Sequence, residues 1–390
     1  MAKTNNLTDF LTDVADAIRE KEGSSAPINP QDFSAKIRAI QGGGEGGGGE
    51  SDVVVAPEND VNFRDYDGTI LYSYSKDAFL ALTEMPELPT QKGLTCQGWN
   101  WNIDDAKAYV REYGRLEVGA TYITDDGKTR FYIKVEGERK TFSIQFSINK
   151  ANSLVIDWGD GVSESISSTA SASHTYNVVG DYVISFDIAE GATLSFGGSS
   201  TSAAILSKPY SNMLKKVELG ESVTIKGYAF YTCYSLSSVV LPNSVTSIGS
   251  NAFNTCYSLS SVVIPNGVTS IGESAFYSCY SLSSVVVLNG VTSIGESAFY
   301  NCRSLSSVVI PNSVTSINAR AFGSCYSIAY IDFRTHTSVP TLSNYTAFST
   351  IASDAKIVVP DALYDEWIAA TNWSNSSVTK YIVKASNFNG

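Results

Sequence analysis

From Ser235 onward the chain repeats one arrangement of apolar and polar positions. SLSSVVLPNSVTSIGSNAFNTCY is followed directly by SLSSVVIPNGVTSIGESAFYSCY, SLSSVVVLNGVTSIGESAFYNCR and SLSSVVIPNSVTSINARAFGSCY. Phe230, Phe253, Phe276, Phe299 and Phe322 stand 23 residues apart, as do Cys233, Cys256, Cys279, Cys302 and Cys325. A period in the low twenties predicts a solenoid: one unit cannot bury its own apolar face, whereas stacked copies share a continuous core. Within one copy, Val262 and Ile264 alternate with Val263, which predicts a strand with the first two pointing inward. Pro265 and Asn266-Gly267 end that strand, through a missing donor and a tolerance of positive φ. Val268-Thr-Ser-Ile271 forms a second short edge, Gly272 turns the chain, and Ala275, Phe276 and Cys279 fill the interior.

Both ends of the block carry altered copies. Leu214, Val217, Leu219, Val223, Ile225 and Phe230 trace a copy one residue shorter that seals the incoming end. At the other end Lys356-Ile-Val-Val-Pro360 repeats the strand and Ala347-Phe348 repeats the Ala-Phe. Asp361–Ala370 then reads as a helix with Leu363 and Trp367 on one face, a cover for the last rung. The order L-x-x-V-x-I-P, V-T-x-I-G, A-F-x-x-C resembles the BspA-type leucine-rich repeats over roughly residues 213–385.

Upstream, the periodicity changes. Leu7, Phe10, Leu11, Val14, Ala17 and Ile18 fall at helical spacing, stopped by Gly23. A second helix opens at Asn29-Pro30-Gln31-Asp32, with Phe33, Ile37 and Ile40 on its apolar side. Two helices in about 40 residues rarely fold alone, so these residues are expected to oligomerise or dock. Gly42-Gly-Gly-Glu-Gly-Gly-Gly-Gly49 follows as a tether with a reach of about 16 Å. Residues 53–138 read as α+β: Asp67-Gly68 and Asp126-Gly127 are hairpin signals, the second joining Ala120–Thr124 to Thr129–Val135. Ser75 and Asn102 start short helices, and the indoles of Trp99 and Trp101 read as core. Residues 139–198 are β-rich. Their order W-G-D-G (158–161), H-T-Y (174–176), G-x-Y-x-I (180–184) is similar to the polycystic-kidney-disease (PKD) type of β-sandwich, a spacer and adhesion module. Asp157 and Asp160 fall short of the six to eight oxygens calcium takes and suit turn hydrogen bonds better.

The opening L-T-D-F-L-T-D-V-A-D-A-I-R-E-K with P-I-N-P-Q-D-F resembles the start of many tailed-bacteriophage virion proteins. V-N-F-R-D-Y-D-G-T-I-L-Y-S-Y, G-L-T-C-Q-G-W-N-W and D-D-A-K-A-Y-V extend that resemblance, which covers nearly the whole chain. It implies a structural tail or head fibre made in the host cytoplasm and localised to the virion. The parts are then a helical hairpin for anchoring and oligomerisation (1–41), a linker (42–52), an α+β domain (53–138) and a PKD-like sandwich (139–198). A leucine-rich-repeat solenoid (199–360) and a C-terminal helical cap (361–390) complete a multidomain, mainly β chain. Leu7, Phe10, Leu11, Val14, Ile18, Phe33, Ile37 and Ile40 are the expected anchor, packing as a homo-oligomer, a trimer in the simplest case, or against other virion proteins. The opening lacks the basic-then-apolar pattern of a secretory signal, which sets a bacterial BspA-like surface adhesin second.

Composition narrows the chemistry. A net charge of −12, mostly from the first third, argues against nucleic acid and anionic membrane as partners. No run of 18 apolar residues predicts membrane insertion. Two histidines, His174 and His336, in separate domains disfavour nucleophile–base arrangements and the commoner zinc sites. The chain is therefore expected to be no enzyme, with no metal and no cofactor; a glycan-degrading tailspike is a third reading that no motif supports. The ladder cysteines read as small buried free thiols, since parallel side chains hold their Cβ atoms too far apart for a bond. The expected binding residues are Tyr234, Tyr257, Tyr280 and Tyr326, with Arg303 in the fourth copy. This column either meets a host surface glycan or protein, with sugar rings stacked on the phenols, or packs on itself rung against rung.

Overall fold

A computed structural model describes residues 60–65, 69–99, 101, 103–138, 140–167, 171–205 and 212–388. The expected anchor helices and glycine tether lie outside the described residues. What is described is mainly β.

The first unit is α+β. Strands β1 (Val61–Arg64), β2 (Ile70–Tyr74), β3 (Leu94–Trp99) and β4 (Leu116–Thr124) form a sheet ordered β2-β1-β4-β3. Helix α1 (Lys76–Ala81) starts at Ser75, whose hydroxyl accepts from the Ala78 N–H at 3.4 Å. Helix α2 (Ile103–Tyr113) stops at Gly114, which takes a φ of 84° that side chains resist. Phe63, Phe79, Ala106, Val110, Leu116 and Val118 are buried between helices and sheet. Trp99 belongs to this core: its ring lies 4.9 Å from Phe63, and its indole N–H donates to the Pro86 carbonyl at 2.8 Å.

The expected hairpin across Asp126-Gly127 does not form. Gly127 makes a turn (φ 69°, its N–H on Thr124 O at 3.0 Å), but β5 (Thr129–Val135) leaves for another sheet. β4 pairs with β1 through Leu116–Gly119 and with β3 through Ala120–Thr124, the stretch nearest the turn. The buried face of β5 (Phe131, Ile133, Val135) instead lies between β11 (Gly180–Ile188) and the first solenoid strand, Leu214–Glu218. With β8 (Leu154–Asp157) and β9 (Ser163–Ile166), this makes one side of the β-rich unit. The facing side holds the pair β6 (Thr141–Gln145) and β10 (Ser171–Thr175), and the pair β7 (Ser147–Ile148) and β12 (Leu194–Phe196). Asp157 and Asp160 each accept a backbone N–H two residues on, at 2.9 and 3.2 Å, and His174 Nε2 lies 2.7 Å from Asp160. They serve the turns.

Three main-chain ladders stack the solenoid. In the first, parallel strands Ser261–Ile264, Ser284–Val287, Ser307–Val309, Tyr330–Asp332, Lys356–Val359 and Ile382–Lys384 pair in sequence order. The earlier pair, Leu214–Glu218 with Ser238–Val240, is likewise parallel. The second ladder is an eight-stranded sheet from Thr341–Leu342 back through four Ser-Ile strands and Val223–Ile225 to β12 and β7. A third has no strand geometry: Phe230, Phe253, Phe276 and Phe299 donate their N–H to Ala252, Ala275, Ala298 and Ala321 of the next rung at 2.6 to 2.8 Å. Flanking it, Asn251, Ser274, Ser297 and Arg320, and Thr255, Ser278, Asn301 and Ser324, all hold a positive φ near 60°. Each costs about 1–2 kcal/mol in isolation. Ser274 and Ser278 use that geometry to donate to Glu296 and Tyr300 of the next rung at 2.8 Å.

Gly267 is not in the left-handed region that Asn-Gly suggests. Its reason is proximity: a Cβ there would lie 1.9 Å from the Asn243 carbonyl of the preceding rung, and one on Gly290 1.9 Å from Asn266.

Inside runs a file of stacked rings. Phe230, Phe253, Phe276, Phe299, Phe322 and Phe348 follow one another at 5.1 to 6.0 Å, with interplanar angles of 10° or less. Phe196 continues the file into the β-rich unit, 6.0 Å from Phe230 and 5.2 Å from Phe131. The expected boundary at 198/199 therefore crosses one unbroken core, and the β-rich unit seals the incoming end. At the outgoing end, a single turn (Asp361–Leu363) and α3 (Tyr364–Ala369) replace one continuous helix. α4 (Ser376–Thr379) and the strand Ile382–Lys384 follow. Trp367 and Trp373 close the file, Trp373 lying 5.5 Å from Phe348 with its N–H on Pro340 O at 2.8 Å.

Two predictions follow from this packing. Phe276→Ala removes a ring held on both faces, and its unfolding free energy in urea should fall by about 3–5 kcal/mol; a loss under about 1 kcal/mol contradicts the stacked core. His336, buried against Phe333 and Trp367, is pushed down to about 4 by burial. The unfolded chain thus takes up the proton first, so this contribution is intact above about pH 6.5 and lost on descending to about 4. The loss amounts to about 3 kcal/mol. Urea midpoints between pH 7 and 4 should fall more steeply in the native chain than in His336→Leu.

Candidate functional site

The repeated rungs place identical side chains at identical places, so any surface they form is periodic. Residue 23 of each copy follows the buried cysteine on the turn that leads into the first ladder. There the structure brings the expected residues together. Tyr234 and Tyr257 stack at 5.0 Å and 17°, Tyr257 and Tyr280 at 4.7 Å and 5°, and the Arg303 guanidinium lies 4.6 Å over the Tyr280 ring. Arg303 is steadied by Asn301 Oδ1, which accepts from its Nε at 2.9 Å. Tyr326 follows in the next rung and is 53% exposed.

Such stacking alters what the column can do. Both faces of Tyr257 are covered by rings, and those of Tyr280 by a ring and a guanidinium. Sugar rings cannot stack on these phenols; only edges and hydroxyls meet solvent. Burial first, then the neighbouring phenols, push the Tyr257 hydroxyl up from its ordinary value, which keeps it protonated and a donor. The result is a row of hydroxyls at about rung spacing.

A second row, missed in the sequence, lies three residues earlier. Tyr277 and Tyr300 stack at 5.1 Å and 15°, and Tyr231 holds the equivalent place near Tyr257. The signal was the same 23-residue recurrence, hidden because Asn254 interrupts the row and Gly323 ends it. A Cβ on Gly323 would lie 2.9 Å from the Tyr300 ring. Glu296, in the adjoining turn, pairs with Arg320 of the next rung at 2.6 Å.

The cysteines form an interior file. Cys256, Cys279, Cys302 and Cys325 each donate to the carbonyl of the phenylalanine 26 residues earlier, at 3.2 Å. Burial pushes all five ladder thiols up, Cys325 to about 12. Among the described residues no group of three or more His, Cys, Asp or Glu is placed to hold a metal ion, and no helix is long and apolar enough to cross a membrane.

Residues 210–362 match the BspA type leucine rich repeat region, in six copies. No curated protein matches the chain. Among solved structures, a leucine-rich-repeat protein of T. pallidum is 28% identical over 41% of this chain and 89% of its own, with a TM-score of 0.30. A leucine rich cell surface protein of Faecalibacterium prausnitzii A2-165 is 23% identical over 41% and 63%, with a TM-score of 0.26. A leucine-rich repeat protein of Bacteroides ovatus ATCC 8483 is 24% identical over 44% and 54%, with a TM-score of 0.29. The chain spans less than two thirds of the length of the latter two.

The thiol file gives a direct check. Treated with a thiol reagent at pH 8 under native conditions, the chain should label at Cys96, which is half-buried, and leave the five ladder thiols unmodified until denaturant is added. Rapid native labelling of Cys279 contradicts the packing.

Proposed function

We propose that this chain is a non-catalytic attachment protein that presents its solenoid to a repetitive surface polymer. The observation that carries the reading is the periodic tyrosine face, in which one rung's hydroxyls recur along the stack. The BspA-type repeats favour a bacterial surface adhesin as its biological setting. In that setting residues 139–198 act as a PKD-like spacer, and the solenoid meets a glycan or protein on the opposing surface. A second reading is a tailed-bacteriophage fibre anchored by residues 1–41 as a trimer. It is favoured by the resemblance of the opening and of residues 61–110 to virion proteins. Immunogold labelling of producing cells and of purified particles separates the two settings.

The tyrosine face itself is tested by Tyr257→Phe combined with Tyr280→Phe, a change that keeps the stack and removes two hydroxyls. Adsorption to immobilised surface polysaccharides should weaken at least about tenfold while the melting temperature stays unchanged. Undiminished adsorption by this variant removes the proposed face.

A further inference from the structure

The first ladder has an outward face as well as an inward one. With Val285 and Val287 in the core, Ser284 and Val286 point outward, and Ser307 and Val309 repeat them one rung on. This face is covered by the chain itself. Val240 packs with Leu94, Ala120 and Tyr122 of β3 and β4. A Cβ on Gly119 of β4 would lie 3.4 Å from Val286 and 3.6 Å from Val263. A cleft of about 200 Å³ lies between β1/β4 and the third and fourth full rungs.

We propose that this cleft binds one uncharged hexose unit. It rests on the reading that the chain binds glycan, but at a place separate from the tyrosine rows. Size sets the first limit, since drug-sized sites occupy roughly 300–1,000 Å³ and this space admits a single ring. Chemistry sets the second. The half-buried indole of Trp101, propped by Tyr109 at 5.2 Å, borders the cleft and offers an apolar surface to the C–H face of a sugar. Val286 and Val309 extend that surface.

Polar groups stand across from it. Glu117 accepts from Arg64 Nε at 2.6 Å and from Asn62 Nδ2 at 2.8 Å. The carboxylate and guanidinium thus neutralise each other, and the lining favours neither an anion nor a cation. Ser284 and Ser307 place two hydroxyls on the floor at about the 4.8 Å interstrand spacing. Thr335 also lines the cleft, and its buried hydroxyl has no hydrogen-bond partner among the described residues. An apolar face beside several hydroxyl-matching groups, without net charge, is the recognition chemistry of a neutral sugar.

The test uses the full chain and saturation-transfer NMR with methyl glycosides of glucose, galactose, mannose and N-acetylglucosamine, and with their β-linked disaccharides. At least one neutral glycoside should receive saturation at roughly 10 mM. Trp101→Ala and, from the solenoid side, Ser307→Val should each weaken it about tenfold, whereas the Tyr257/Tyr280 phenylalanine pair should leave it unchanged. A disaccharide binding no better than its terminal unit supports a single-ring pocket. Silence across the panel, or full binding by a correctly folded Ser307→Val chain, overturns the proposal. Loss of sugar binding in the tyrosine pair, with Trp101→Ala unaffected, places the sugar on the tyrosine face and overturns it too.

Discussion

Everything in the solenoid depends on register between rungs. A rung has no stable conformation of its own: its strands are two to five residues long, and two of its turn residues sit where L-residues are strained. Stacking supplies what each rung lacks. Three sets of N–H groups find carbonyls on the next rung, a phenylalanine finds a parallel ring on either side, and a thiol finds a carbonyl. Individually these are worth about 1 kcal/mol for a hydrogen bond and somewhat less or more for a ring contact. They all require the same translation, so a displacement that breaks one breaks the set. This is the physical meaning of a repeat kept to 23 residues with no insertion over four copies.

The same dependence explains the ends. A stacked array must terminate on something that accepts its last donors and covers its last ring. On the incoming side the two sheets of the β-rich unit extend into two of the ladders, β5 antiparallel to the first strand and β12 parallel to Val223–Ile225. Gly198 and Ile205 donate to Gly227 and Ala229 and close the third. The β-rich unit is thus the first layer of the stack as well as its neighbour. On the outgoing side Trp367 and Trp373 replace the next phenylalanine, and Ile382–Lys384 replaces the next strand. A chain built this way unfolds from damage in the middle more readily than from truncation beyond its caps.

Much of this was legible from residues alone, because the translation is written into the sequence. The inward set, from Val262 and Ile264 through Phe276 and Cys279, follows from alternation and period. The tyrosine column follows from recurrence. What recurrence does not report is how one part of the chain lies on another. Nothing in Thr129–Val135 distinguishes the second arm of a hairpin from a bridging strand; that depends on β11 and Leu214–Glu218, far along the chain, pairing with both of its edges. The left-handed residues were equally hidden. Tyr, Asn, Thr, Ser and Arg hold these positions where glycine would have advertised them, and rung-to-rung bonding makes the strain tolerable. Gly267 errs in the other direction, being required by a carbonyl on the preceding rung and not by its own φ.

Coverage of the first ladder decides which surfaces remain for function. Stacked repeats commonly offer their regular sheet face to partners, yet here Val240, Val263 and Val286 lie under β3 and β4. Exposed, that row would be a flat apolar strand face on a parallel sheet, an aggregation hazard. Covered, it leaves the turns after the cysteines as the open periodic surface. The α+β unit, joined to the stack where Leu94, Ala120 and Tyr122 pack on Val240, turns the covered face from a liability into a cleft. The division follows from geometry: a flat row of valines is met by another sheet, whereas a row of phenols already stacked on one another has only its hydroxyl edge left to offer.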